Sequence, residues 1–262
     1  MQGKSMESSL GKKVEATTSR GRAQPPLLTL CPNSKATVDC AQCRVRALSL
    51  CAALGPEELN ELDKLATSMA IGAKETLFEQ DQPSDSVYNV TAGSVRLYKL
   101  LPDGRRQVVG FALPGDFLGL SMSEKNAFSA DALTPSTACR FSRSDYSAFL
   151  DAKPHLLRRL HSMASHELSL AQDQMVILGR RTAEERIAAF LIGLRNRWMR
   201  INGNQVHVPL PMTRQDIGDF LGLTVETVSR LMTRLAREKA IVIVPDGVRL
   251  LDVPRLERLA EI

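Results

Sequence analysis

Five cysteines stand at positions 31, 40, 43, 51 and 139 of a 262-residue chain. An odd number rules out complete pairing as disulfides, and five are too few to staple a chain of this length. In a reducing compartment such residues bind metal or lie inert in a core. Cys40, Cys43 and Cys51 read C-x2-C-x7-C, and Cys139 supplies a distant fourth thiol. Four thiolates can hold a cubane iron–sulfur cluster or a tetrahedral zinc ion, and the ligands of either converge from separate segments. By count alone Cys31 could replace one of the four. Eight residues separate it from the tight pair, in what reads as a polar tail.

A second set of residues has the types that recognise nucleic acid. Thr213-Arg214-Gln215-Asp216 opens a short helix with Ile217, Phe220 and Leu221 on its apolar face, and Gly222-Leu223 interrupts it. Thr224 then caps a longer helix through Val225, Val228, Leu231, Met232 and Leu235. Two helices joined by a glycine turn make a helix-turn-helix. The second presents Glu226, Thr227, Ser229 and Arg230 at its N-terminal end, free of packing duties. Arginine binds guanine O6 and N7 with two hydrogen bonds, and a carboxylate accepts from cytosine N4. Thr224, Thr227 and Arg214 complete the expected DNA-contacting set. The charge agrees: residues 180–240 carry 11 Lys/Arg against 6 Asp/Glu, an excess equal to the +5 of the whole chain.

Catalysis finds no support. His155, His161, His166 and His207 lie in no nucleophile or metal motif, and the five-residue step from His161 to His166 misses the four that would align two ligands on a helix. We expect no enzyme.

The elements that must hold these residues follow from periodicity. Residues 1–30 are polar and aperiodic, a tail. Residues 31–54 bear the cysteines. Residues 55–152 open with a helix signal at Gly55-Pro56-Glu57-Glu58 and continue, between Met69 and Ser142, as short Val-, Leu-, Phe- and Tyr-rich runs punctuated by glycines. That pattern predicts an antiparallel β-roll of the jelly-roll kind, with Pro102-Asp103-Gly104 as one hairpin turn. Residues 153–179 become helical again, with Leu157, Leu160, Ala164, Leu168, Ala171, Met175 and Leu178 in a near-heptad seam that suits a homodimer. Residues 180–262 add a helix from Thr182 to Trp198, the helix-turn-helix, and a hairpin wing, Ile241–Val244 then Val248–Leu251. The fold class is α+β. No window approaches the roughly 18 apolar residues of a membrane helix, and the N-terminus has no apolar signal core. A cytoplasmic location and no membrane partner are expected.

The stretch from Met212 to Leu235, MTRQDIGDFLGLTVETVSRLMTRL, resembles the DNA-reading unit of the CRP/FNR superfamily of bacterial transcription regulators, in its FNR branch. Phe78-Glu79, Ser84 to Tyr88, Gly93 to Leu97 and Pro114 to Gly119 are similar to the superfamily's sensory β-roll. One departure is Asp81-Gln82, where members carry a turn glycine; Asp tolerates the left-handed conformation that the turn needs. The resemblance implies that Glu226, Ser229 and Arg230 read a TTGAT-N4-ATCAA-like palindrome of double-stranded DNA, with Arg230 on the guanine. It implies a 4Fe-4S cluster on Cys40, Cys43, Cys51 and Cys139, with zinc or no metal as the alternatives. The seven-residue third gap is that of FnrN-like members. The intact cluster would favour a homodimer along the 153–179 helix, and oxygen, by converting it to 2Fe-2S, would favour monomers that lose the operator. Anaerobic or microaerobic genes are the implied targets, and RNA polymerase the implied partner; the Leu101 to Arg106 loop reads equally as a polymerase contact and as a plain hairpin turn. The alternative is a cluster-free or zinc-containing regulator of the same kind that answers another signal. Cyclic nucleotide is not expected. Its phosphate needs an arginine and a small hydroxyl residue where this chain reads Asn126-Ala127-Phe128-Ser129-Ala130-Asp131.

Overall fold

A computed structural model describes residues 40–120, 123–203 and 206–261; the expected tail and Cys31 lie outside them. Three short 3-10 turns, Cys40–Gln42, Arg46–Leu48 and Leu50–Ala53, carry the cysteine segment. Helix α1, Pro56–Leu65, follows. Pro56 suits the first helical position, and the Glu58 carboxylate accepts from the Gly55 N–H at 2.9 Å. Its apolar stripe buries Leu59 and Leu62.

Eight antiparallel strands build the roll: β1 Thr67–Ile71, β2 Thr76–Phe78, β3 Ser86–Ala92, β4 Val95–Leu100, β5 Arg106–Ala112, β6 Phe117–Leu118, β7 Ser129–Ala132 and β8 Ser136–Ser142. They form two four-stranded sheets, β1-β8-β3-β6 and β2-β7-β4-β5. Ile71, Tyr88, Val90, Val95, Ala112 and Ala138 fill the space between them. The turn before β3 has the expected geometry, with Asp81 at φ 65°.

The first sheet is covered on both faces, which is why β3 is buried from Ser86 to Val90. Strand alternation sends Ala138 inward and Cys139 and Phe141 outward, where they pack with Cys40, Cys51, Leu62 and Leu156. Helix α2, Arg143–Asp151, which the sequence did not announce, adds Tyr146, Phe149 and Leu150 to this outer layer. The cysteine segment also meets the turn between β5 and β6. Gly115 sits at φ 100°, and a Cβ there would lie 2.7 Å from the Cβ of Leu48.

Helix α3, Pro154–Arg180, runs 27 residues. Helix α4, Ala183–Asn202, starts at a Thr182 capping box, with Thr182 N–H donating to Glu185 at 2.8 Å, and continues past Trp198, where the sequence reading ends it. Strand β9 is His207–Pro209, followed by α5 Arg214–Leu221, α6 Val225–Arg237, β10 Ile241–Val244, β11 Gly247–Leu250 and α7 Val253–Ala260. The wing is a three-stranded sheet, β10-β11-β9.

The roll and the C-terminal unit share one core. Val108, Phe111 and Leu113 pack with Ile187, Leu191, Ile217 and Leu221. Phe111, Phe190 and Phe220, from β5, α4 and α5, form a ring triangle with centroids 5.4–6.1 Å apart. Aromatic pairs at such spacing add stability beyond their buried area. Arg197 of α4 also donates to the Phe111 carbonyl at 2.7 Å and pairs with Asp116.

Candidate functional site

Thr213 caps α5. Its Oγ1 accepts from Asp216 N–H at 3.1 Å, and Asp216 Oδ2 accepts from Thr213 N–H at 2.9 Å, a reciprocal box. The turn to α6 folds back tightly: a Cβ on Gly218 would fall 2.6 Å from the Leu223 carbonyl oxygen, so only glycine fits. Gly222 ends α5 in the left-handed conformation. Thr224 then caps α6 by accepting from Thr227 N–H at 3.2 Å.

Helix α6 buries Val228, Met232 and Leu235 and leaves Glu226, Ser229 and Arg230 exposed at its first turns. Backbone N–H donation at the helix start, the Thr224 hydroxyl and the Arg230 charge hold the Glu226 carboxyl below its usual pKa, so it is ionised. It can accept from a base amino group. Arg230 reaches Thr227 Oγ1 at 3.4 Å and is otherwise directed outward, beside a groove flanked by Arg234 and Arg237. Arg214 is placed differently from the other expected contacts. It is half-buried, burial lowers its pKa, and its Nη1 has no partner among the described residues.

Three of the four candidate cysteines are brought into one layer. Cys40, Cys51 and Cys139 share the outer apolar layer at 8%, 7% and 6% exposure, Cys43 is half-buried at its edge, and none is in a disulfide. Cys139 faces Asn89 and Ser68 across the ladder. Burial pushes the Cys40 thiol up, and neighbouring Asp63, Cys139 and Cys51 add to it; burial also raises Cys51, with Cys43 contributing. A buried thiol therefore becomes a thiolate here only with a strong counter-charge, which an iron or zinc centre supplies. Among the described residues, no three His, Cys, Asp or Glu side chains close on a point as a single metal ion needs. A cubane asks less of the spacing, because each thiolate meets a different iron corner. Four thiols are the donor type that a cluster takes.

Asp63 and Tyr146, both beside this layer, escaped the sequence reading, because Asp63 is not one of the apolar residues that mark the inner face of α1 and nothing announced α2. Tyr146 buries its hydroxyl without a partner among the described residues, and burial, with Cys51, drives its pKa up.

The α3 seam divides. Leu157, Ala164, Leu168, Ala171 and Met175 are exposed in the single chain, Leu168 by 60% and Met175 by 69%. Leu160 and Leu178 are half-buried instead, Leu160 against the cysteine-bearing core and Leu178 beside Gly222. Two of the seven seam positions thus pack on the chain itself, and fully buried Leu156, one residue off the heptad, anchors α3 to the roll. The 101–106 hairpin also splits: Pro102 to Arg105 are exposed, but Arg106 turns inward to Asp216 and Asp219. Asp131, where a nucleotide phosphate would need a cation, pairs with Arg96 at 2.7 Å.

Comparison with known proteins gives the same architecture. Residues 185–259 match the model of the Crp-like helix-turn-helix domain, and residues 69–153 that of the cyclic nucleotide-binding domain. The chain is 55% identical to the transcriptional activatory protein AadR of Rhodopseudomonas palustris over 83% of its own length and 91% of the relative. It is 50% identical to the nitrogen fixation regulation protein FixK of Bradyrhizobium diazoefficiens, over 84% and 93%. The solved structure of FixK2 from Bradyrhizobium japonicum superposes with a TM-score of 0.70 at 36% identity, covering 75% of this chain and 98% of that one. No helix among the described residues is long and apolar enough to cross a membrane. With a sensory roll, a long connecting helix and a DNA-reading winged helix in this order, and relatives this similar over most of their length, the chain belongs to the CRP/FNR family of DNA-binding transcription regulators, on its FNR-type side.

Proposed function

We propose that this chain is an oxygen-responsive transcription activator of anaerobic or microaerobic genes. In this reading it holds a 4Fe-4S cluster on Cys40, Cys43, Cys51 and Cys139, dimerises along α3, and reads a TTGAT-N4-ATCAA-like palindrome with Glu226, Ser229 and Arg230. The observation that carries it is the gathering of three cysteines, Cys139 from a strand and Cys40 and Cys51 from the preceding segment, in one buried layer against the root of α3, with half-buried Cys43 between the latter two in sequence. The cluster, when bound, supplies an oxygen-labile crosslink between those segments. The protein's part is then mechanical. Leu156 and Leu160 tie the start of α3 to the layer containing Cys51 and Cys139, so loosening that layer shifts the helix on which the exposed ridge is mounted. A dimer places two copies of α6 about one DNA turn apart, whereas a monomer keeps half the contacts. The activatory and nitrogen-fixation roles in the names of AadR and FixK support the regulatory side, and the exposed part of the 101–106 hairpin is the proposed RNA polymerase contact.

Protein purified without oxygen is expected to be brown, with iron and acid-labile sulfide near four per chain, and to bleach in air. Colourless protein with stoichiometric zinc, or with no metal, would instead establish the second reading, a zinc-containing or cluster-free regulator. Within that reading, the lack of converging single-ion geometry among the described residues favours the cluster-free form over the zinc form. For the DNA side, Arg230→Ala should remove discrimination at the guanine by about 1–3 kcal/mol, measured as the ratio of affinities for the palindrome and its guanine-substituted version. An unchanged ratio refutes the assignment of Arg230.

A further inference from the structure

Helix α5 is gripped from outside its own unit at both ends. At its start, Asp216 divides its carboxylate between two tasks. Oδ2 closes the Thr213 cap, and Oδ1 accepts from Arg96 at 2.6 Å and Arg106 at 2.7 Å, both on the sensory hairpin β4–β5. Arg106 also reaches Asp219 Oδ2 through Nε at 3.0 Å and Nη2 at 2.7 Å. Both guanidinium groups also lie over the Tyr98 ring, Arg96 at 5.0 Å and Arg106 at 5.8 Å from its centre.

At its end, the last carbonyls of α5 lack helical partners, as in any helix. Here three different elements supply them. Gln107 of β5 donates to the Asp219 carbonyl at 2.6 Å, Gln174 of α3 to Phe220 at 3.3 Å, and Arg186 of α4 to Leu221 at 3.0 Å. Beneath this polar rim lies the Phe111–Phe190–Phe220 triangle. Domains joined by small polar contacts move freely, whereas an apolar, aromatic interface with a paired rim holds one angle.

We propose that α5 is the coupling element between the sensory roll, the connecting helix and the operator, and that Arg96, Arg106 and Gln107 are positioning residues that set the angle of α6 for DNA binding. None of them is placed to touch a base. Glu226, Ser229 and Arg230 remain exposed while the grip is made, so it orients the reading surface without covering it. The proposal rests on the operator reading above only through its affinity arm.

The test is a charge exchange in the full-length protein: Arg106→Glu, Asp219→Arg, and the two together. Affinity is read by fluorescence anisotropy on a TTGAT-N4-ATCAA duplex and on an unrelated duplex. Amide hydrogen exchange is read over β5 and α5. Each single variant should lose operator affinity by about tenfold, keep its affinity for the unrelated duplex, and exchange faster in both segments. The double variant should recover most of both properties, which a merely misfolded single variant would not allow. Unchanged exchange in the single variants overturns the proposal. So does tighter operator binding, which would make the contact a latch against DNA. If the wild-type protein ignores the palindrome, the operator reading fails, and the exchange arm still decides whether the grip exists.

Discussion

Met175→Glu should turn the dimer into a monomer and lower operator affinity by two orders of magnitude or more (about 3 kcal/mol or beyond). Met175 is the most exposed large apolar residue of α3, at 69%, and Leu168, two turns earlier, is 60% exposed. In a single chain they lie in water; in a two-fold dimer each meets its own counterpart or a near neighbour, because the contact is isologous. A carboxylate at 175 would therefore face another carboxylate across a desolvated seam, where like charges repel strongly. The substitution touches no core of the chain itself, so far-UV circular dichroism and the melting transition of the monomer should be unaffected. Sedimentation equilibrium gives the mass, and anisotropy on the palindrome gives the affinity. A persistent dimer would move the interface off α3.

Cys139→Ser should empty the cysteine centre, leaving iron below about one per chain in protein purified without oxygen. The site is the sharpest of the four because Cys139 sits within a paired strand, between Ala138 and Arg140 in register with β1 and β3. Serine fits the same space and the ladder is unaltered, so loss of metal would not be loss of fold. A hydroxyl is a far weaker iron ligand than a thiolate. Cys31→Ser is the matched control, with iron and sulfide expected at wild-type levels. Full retention of iron in Cys139→Ser, with loss in Cys31→Ser, would exchange the two assignments.

The local features were the legible ones. Each cap at Thr182, Thr213 and Thr224 needs only a hydroxyl and a backbone N–H a few residues away, so all three could be read from short strings and all three form. The wing and the Asp81 turn are local in the same sense. The α3 ridge was legible as a helix but not as a helix with two duties. A heptad count starting at Leu157 cannot see that Leu156 and Leu160 face the chain's own roll, because partner and self offer the same apolar chemistry. Least visible was the grip on α5. Arg96 and Asp216 are 120 residues apart, and Arg106 and Asp219 are 113 apart. Charges at that separation become partners only through the packing of two domains, which no periodicity encodes. The same limit hid Asp63 beside Cys40, since an acid on a short helix reads as solvated until a distant segment covers it.

The contact between Leu48 and Gly115 bears on how such regulators can be recombined. A chimera whose donated cysteine segment has a side chain as large as leucine at position 48 carries it down onto this turn. The recipient accepts it only if position 115 has no side chain. Any residue larger than glycine there would displace the donor segment or push Asp116, and with it the Arg197 pairing, out of place. Exchange of the sensing segment in this chain therefore has a hidden compatibility rule, written jointly in position 48 of the segment and position 115 of the roll.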